Sequence, residues 1–291
     1  MSTDIQDVEY FATINGARLK LQVLGPEGAP AIIVHHGAPG LGSRSEPVRS
    51  FGPFADDYRI VTFDARGSGE SSDDGPFTHE QWVADIDAIR EWLGLETFVM
   101  AGGSYGGFLA MEYTLAHPER VSALILRDTA ATTDYDHLAV ERARTSERVT
   151  IDPWAIARIG TGNFADNTEF ERYWRAILPL YDHNYDPAAV ERKALATPYH
   201  FATHNYAFGV NMPAYDLSGR LREIGCPTLV VVGRHDWRTP VPASQAIVDG
   251  IPNAELVIFE HSGHSPQLEE PELFQSTVRE FLLRSGVGDA V

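Results

Sequence analysis

Short apolar runs alternate with longer helical patterns along most of this chain, and that rhythm restricts the folds open to it more than any other feature. The runs ARLKLQVLG, AIIVHHG, RIVTFDARG, FVMAGGS, ALILRD, TLVVVGRHD and ELVIFEHSG have strand length, and nearly all end in Gly, Asp, Ser or His. Between several of them lie helical patterns: HEQWVADIDAIREWLG, which ends at Gly94, and SYGGFLAMEYTLAHPE, which ends at His117 before Pro118. Strands that alternate with helices form a mostly parallel sheet covered by helices on both faces. In such sheets a ligand lies beyond the carboxyl ends of the strands, so polar residues just past those ends are where chemistry is expected.

The rhythm breaks between about Thr129 and Asp216. That stretch has no convincing strand and reads as helices, YDHLAVERARTSERV, PWAIARIG, EFERYWRAILPLY and PAAVERKALA, with many aromatics. Because the strands resume afterwards, the pattern predicts one α/β core from residues 1–129 and 215–291, with residues 130–214 inserted as a helical cap. A length of 291 residues and a hydrophobic fraction of 43% suffice for such a core.

Charge and cysteine content exclude several partners. The net charge of −18, from 41 acidic against 23 basic residues, disfavours nucleic acid and anionic membranes. With Cys226 alone, no internal disulfide can form. The N-terminal MSTDIQDVEYF lacks a basic-then-apolar signal, and no apolar run approaches the roughly 18 residues that span a bilayer. These features predict a cytoplasmic protein, a monomer or small homo-oligomer, with no nucleic-acid or membrane partner.

The most specific local signal is GGSYG, residues 102–106. It fits G-x-S-x-G, the strained strand-to-helix turn that exposes a serine hydroxyl, with glycines two residues to either side because the backbones nearly touch there. A strand-like TFVMAG precedes it and a helix-like FLAMEYTLA follows, which is the context the motif needs. An activated Ser104 requires a base, and the base requires an orienting carboxylate. Asp236 stands just beyond the run TLVVVG, and His264 just beyond ELVIF. The order serine, acid, histidine, each after its own strand, is that of this architecture. His261 and His235 are the competing imidazoles; both read as structural.

Acyl chemistry also needs main-chain donors for the oxyanion. One is expected from Tyr105, directly after the serine, and the other from the glycine-rich loop after AIIV, at Ala38 or Gly37.

With these residues in view, the chain resembles an α/β-hydrolase, and specifically the proline iminopeptidase branch. The resemblance runs through HGAPG at residues 36–40, DARGSGES at 64–71, GGSYGG at 102–107, GRHDWRTP at 233–240 and SGHSPQLEEP at 262–271. It implies a Ser104 nucleophile, a His264 base and an Asp236 orienter, an acyl-enzyme intermediate, and no metal or organic cofactor. It further implies a pocket beneath the cap for a small-molecule or short-peptide substrate, with His36, Trp154, Trp174, Tyr181, Asn205 and Tyr206 as candidate contacts.

Two positions depart from the family pattern. Ala38 replaces a glycine, and Asn205 falls where a cap glutamate would bind a substrate ammonium. Asp166, Glu169, Glu171, Asp182 and Asp186 are the cap acids able to replace that glutamate. The expected activity is therefore an aminopeptidase or amidase releasing an N-terminal residue. The alternatives are a carboxylesterase or lactonase acting on small uncharged esters and, more remotely, a non-catalytic ligand-binding protein.

Overall fold

The computed structural model describes residues 7–287; the remaining residues, 1–6 of the N-terminal stretch read above for targeting and 288–291, lie outside the description. Eight strands form one sheet: β1 Asp7–Ile14, β2 Ala17–Leu24, β3 Ala31–His35, β4 Arg59–Phe63, β5 Phe98–Gly103, β6 Val121–Arg127, β7 Thr228–Gly233 and β8 Ala254–Phe259. Their spatial order is β1-β2-β4-β3-β5-β6-β7-β8. Strand β2 runs antiparallel to β1 and β4, and every other pairing is parallel.

The period-two pleat explains why the central strands read as unbroken apolar runs. Ile33, Met100, Leu124, Leu126 and Val230 face one buried cluster, while Ile32, Val34, Val99, Ala101, Ile125 and Val231 face the other. Each fully buried side chain of this size contributes about 1.5–3 kcal/mol. On the first face pack α2 (His79–Trp92) and α3 (Tyr105–Ala116); on the second packs α1 (Ser45–Phe51). Helix α2 starts where Thr78 Oγ1 accepts from Gln81 N at 3.2 Å, and it stops just before Gly94, which takes the left-handed φ of 68°.

Between β6 and β7 the chain forms α4 (Asp136–Arg144), α5 (Pro153–Ile156), α6 (Asn167–Ile177), α7 (Pro187–Ala196) and α8 (Phe201–Tyr206). No strand occurs there among the described residues; the single bridge Thr132 to Asp216 pairs the two ends of the stretch. These helices share a third apolar cluster, in which Phe164, Phe170, Tyr173, Trp174 and Ile177 are buried. The last helices, α9 (Val241–Gly250), α10 (Pro266–Glu269) and α11 (Pro271–Arg284), flank β7 and β8; α11 joins the second face through Phe274, Val278, Phe281 and Leu282.

Strand β1 lies outside the runs recognised in the sequence. It is an edge strand with one exposed face, so Asp7, Glu9 and Thr13 dilute its apolar residues. It joins β2 through Asn15 and Gly16, whose positive φ values of 46° and 80° make a tight hairpin turn. The helical pattern drawn from Tyr135 onward also proves shorter, ending at Arg144. Among the described residues no helix is long and apolar enough to cross a membrane.

Candidate active site

The turn from β5 into α3 holds Ser104 in an unusual backbone conformation. Its φ of 54° and ψ of −123° lie outside the ordinary regions for a side-chain-bearing residue. A Cβ on Gly106 would stand 2.5 Å from both the His35 and His36 carbonyl oxygens, and one on Gly102 would strike the Gly106 carbonyl. Only glycine permits this approach of helix to sheet. The strained turn is held by three hydrogen bonds: Ser104 N donates to Arg127 O at 2.8 Å, while Ser104 O accepts from Gly107 N at 2.9 Å and Thr129 Oγ1 at 2.8 Å. Ser104 occupies the N-cap position of α3 without using its side chain as a cap. The hydroxyl thus stands at a helix N-terminus, where orphan N–H groups and the helix dipole favour a developing anion.

Asp236 and His264 meet each other, one from the loop after β7 and the other from the loop after β8. His264 Nδ1 donates to Asp236 Oδ2 at 2.9 Å, which assigns the free Nε2 as the acceptor. Asp236 is wholly buried. Its Oδ1 accepts from Arg238 N at 2.8 Å and Thr239 N at 3.1 Å, and its Oδ2 from Thr239 Oγ1 at 2.8 Å. Burial pushes this carboxyl up, but the charge and hydrogen bond of His264 and the donors of Thr239 prevail and leave it below the usual carboxylate range. Ser104 Oγ carries no hydrogen bond to His264 among the described residues.

The loop bearing His264 is held from two sides. Glu269 accepts from Gly263 N at 2.6 Å, and Glu270 from Ser262 Oγ at 2.6 Å and His261 N at 3.0 Å, so the paired glutamates of SPQLEEP fasten the turn before the histidine. From the helical stretch, Tyr181 O accepts from His264 N at 2.7 Å, and the Tyr181 ring meets the imidazole edge-on at 5.2 Å. Arg142 of α4 donates to the carbonyl of Asp236 itself. His261 is exposed, and His235 stacks on His183 with ring centroids 3.9 Å apart.

The loop after β3 lies directly on the serine. A Cβ on Gly37 would stand 3.4 Å from Ser104 Cβ and 4.0 Å from Oγ. His36 shapes this loop with both ring nitrogens: Nε2 accepts from Ala65 N at 3.0 Å, which leaves Nδ1 to donate to Gly37 O at 2.7 Å. Ala38 O accepts from Leu41 N and Gly42 N, while nothing among the described residues accepts from the N–H of Ala38 or Tyr105.

The remaining candidates are distributed over the helical stretch. Trp174 is buried, donates to Thr197 Oγ1 at 3.2 Å and packs edge-on against Tyr181. Tyr206 meets the Phe77 ring. Trp154 has the Arg158 and Arg172 guanidinium groups 4.2 and 4.3 Å from its ring. Asn205 forms a two-way latch, accepting from Phe164 N at 2.9 Å and donating to Phe164 O at 2.7 Å. Asp166 and Asp186 cap α6 and α7, Glu169 holds Ala165 N and Arg158, and Glu171 pairs with Arg175.

Sequence reasoning passed over Thr239, Arg142, the two glutamates and Asp128. Of these only Asp128 carried a signal, as a polar residue just past the strand run ALILR.

The sequence matches the family described as alpha/beta hydrolase fold over residues 30–271. It is 36% identical over 276 residues to proline iminopeptidase PfmaB of Pestalotiopsis fici, covering 94% of this chain and 98% of that protein. It is 30% identical over 302 positions to a 2-hydroxy-6-oxononadienedioate/2-hydroxy-6-oxononatrienedioate hydrolase of Pseudomonas putida, covering 97% and 99%. Among solved structures, a thermophilic esterase of Thermogutta terrifontis is similar with a TM-score of 0.72 at 26% identity, over 96% of this chain and 99% of that one. The chain therefore belongs to the α/β-hydrolase family and is a hydrolase of proline iminopeptidase-like type.

Proposed function

We propose that the protein is a serine hydrolase that works through an acyl-enzyme, and that it releases an N-terminal residue from short peptides or amides. Ser104 Oγ attacks the substrate carbonyl as His264 Nε2 takes its proton, and Asp236 stabilises the imidazolium so formed. The oxyanion is received by the N–H groups of Tyr105 and of Ala38 or Gly37. His264 then returns its proton to the leaving amine, and water, activated by the same imidazole, hydrolyses the ester. The helices of residues 130–214 serve as a cap over this chemistry, the core being residues 1–129 and 215–291. The observation that carries the reading is the 2.9 Å hydrogen bond from His264 to a buried Asp236, together with a serine at a strained turn whose hydroxyl caps no helix.

A second reading, an esterase or lactonase for uncharged substrates, is favoured by one observation. Asn205 is latched to Phe164, and of the five acids singled out in the sequence, Asp166, Glu169, Glu171 and Asp186 are engaged in capping or ion pairs, which leaves Asp182 of that set to meet a substrate ammonium.

A fluorophosphonate probe is expected to label the wild-type protein and not Ser104→Ala; a folded wild type that resists labelling would sink the serine mechanism. Ser104→Ala and His264→Ala should each lower kcat at least about a thousandfold. Matched assays on a proline arylamide and on a short-chain aryl ester then decide between the two readings. Faster turnover of the arylamide supports the aminopeptidase, and faster turnover of the ester supports the second reading.

A further inference from the structure

Asp128 directly follows β6 and is wholly buried. Its φ of 46° is left-handed, a conformation that a residue with a side chain keeps only under constraint. Here the constraint is visible: Asp128 N donates to Val231 O at 2.9 Å, and Oδ1 accepts from Gly233 N at 3.0 Å. Oδ2 has no hydrogen-bond partner. Arg127 Nη1 stands 3.6 Å from that oxygen, while its Nη2 donates to Glu46 at 3.0 Å. Asp128, Asp236 and His264 bring one polar atom each within 4.8 Å of one another.

Asp64, at the end of β4, is the instructive contrast. It too is wholly buried, yet its oxygens accept from Arg44 N, Arg44 Nη1 and Glu70 N at 2.6, 2.8 and 2.9 Å. The charge on Asp64 is met on every side; a charge on Asp128 would not be.

Two carboxyl groups this close and removed from water cannot both remain ionised, because like charges in a low dielectric force one to keep its proton. Asp236 has four donors and is the better place for the negative charge. Asp128 faces Arg127 from its own strand, Asp236 from the loop after β7 and His264 from the loop after β8. We propose that Asp128 is a positioning residue, kept as a neutral carboxylic acid, whose Oδ2–H donates to Asp236 and fixes that carboxylate behind His264. Burial first, and then the Asp236 charge, push the Asp128 carboxyl well above the usual range, against the pull of Arg127 and Gly233 N. Asp128 touches no reacting atom. Its contribution is a single negative charge behind the imidazole, held in one orientation.

The kinetic part of this inference rests on the serine-hydrolase reading; the spectroscopic part does not. Infrared difference spectra of wild type against Asp128→Asn at pH 7 should show a protonated carboxylic C=O band that shifts in D2O and is absent from the variant. A folded wild type without that band would overturn the proposal, whether or not the fluorophosphonate probe labels Ser104. Failure of labelling would sink the serine mechanism and leave the band to report on Asp128 alone.

In turnover, Asp128→Ala should lose about tenfold or more in kcat. Asp128→Asn, which keeps the shape and a donor, should recover most of that loss. Since a neutral group is exchanged for a neutral group, the acid limb of the kcat/KM profile should coincide for wild type and Asp128→Asn. A displacement of that limb by about one pH unit toward acid would mean that a charged carboxylate had been removed, contrary to the proposal. Equal damage from Asn and Ala would also overturn it. So would loss of activity on dialysis against a chelator and its return with one divalent metal, since a bridging cation would keep both carboxylates ionised. If Asp128→Ala fails to fold, the band and the acid limb still decide.

Discussion

Ser104 depends on what its neighbours lack. Its turn forms because no side chain at Gly102 or Gly106 separates helix from strand, and both positions are closed by main-chain oxygens that cannot move aside. Gly106→Ala should therefore destabilise the protein by about 2–4 kcal/mol, read from urea unfolding; a loss within about 0.5 kcal/mol would show that the turn has slack. The same backbone demand made the serine legible in sequence, since few other reasons place glycines two residues to either side of it. The pairing of Asp236 with His264 was legible because each lies in the loop just beyond an apolar strand. Thr239 was not, although it gives Asp236 a hydroxyl and an N–H. A threonine three residues past an aspartate is an ordinary turn residue, and only the fold turns it toward the carboxylate.

At the scale of elements, the latch between Asn205 of α8 and Phe164 decides how the helical stretch closes on itself. Both polar ends of the Asn205 amide are engaged, so truncation leaves the buried Phe164 backbone without a partner on both its N–H and C=O. Asn205→Ala should cost about 1–3 kcal/mol in urea unfolding and leave the arylamide-to-ester ratio where it stands. A marked shift in that ratio would return Asn205 to the substrate pocket. Here the sequence was least informative. Helical periodicity marked most of the helices between β6 and β7, but residue type alone could not tell a pocket wall from a strut. Trp154, with guanidinium groups at 4.2 and 4.3 Å, and Tyr181, beside His264, carry the same aromatic signature in the sequence. Strand β1 escaped notice for a related reason, since one solvent face breaks the apolar run that betrays a central strand.

For the whole molecule, two buried imidazoles govern behaviour in acid. Burial above all lowers His35 and His204 to about 3, against about 6.5 in the unfolded chain. Between those values the unfolded chain binds two protons that the folded chain refuses, so stability falls as pH falls. Asp128 acts in the opposite sense, holding in the folded state a proton that the unfolded chain releases above the carboxylate range. His36, also lowered by burial, steepens the fall. The balance of His35, His204 and Asp128 is about one proton, or about 1.4 kcal/mol lost per pH unit, from about pH 5.5 to 4.5. Urea midpoints taken at several pH values, in enough salt to screen the net charge of −18, would show this slope; a flat response would mean that these imidazoles find counter-charges when protonated. The alternating core of this molecule was readable from apolar periodicity, whereas these buried imidazoles were not, because nothing local in sequence distinguishes an interior histidine from a surface one. The bridge between Thr132 and Asp216 bears on the molecule's history. The chain leaves the sheet and rejoins it at neighbouring points, so what lies between can lengthen, shorten or be replaced at little entropic cost to the strands. One helical insertion can therefore be exchanged for another while the sheet and its strand order are inherited intact.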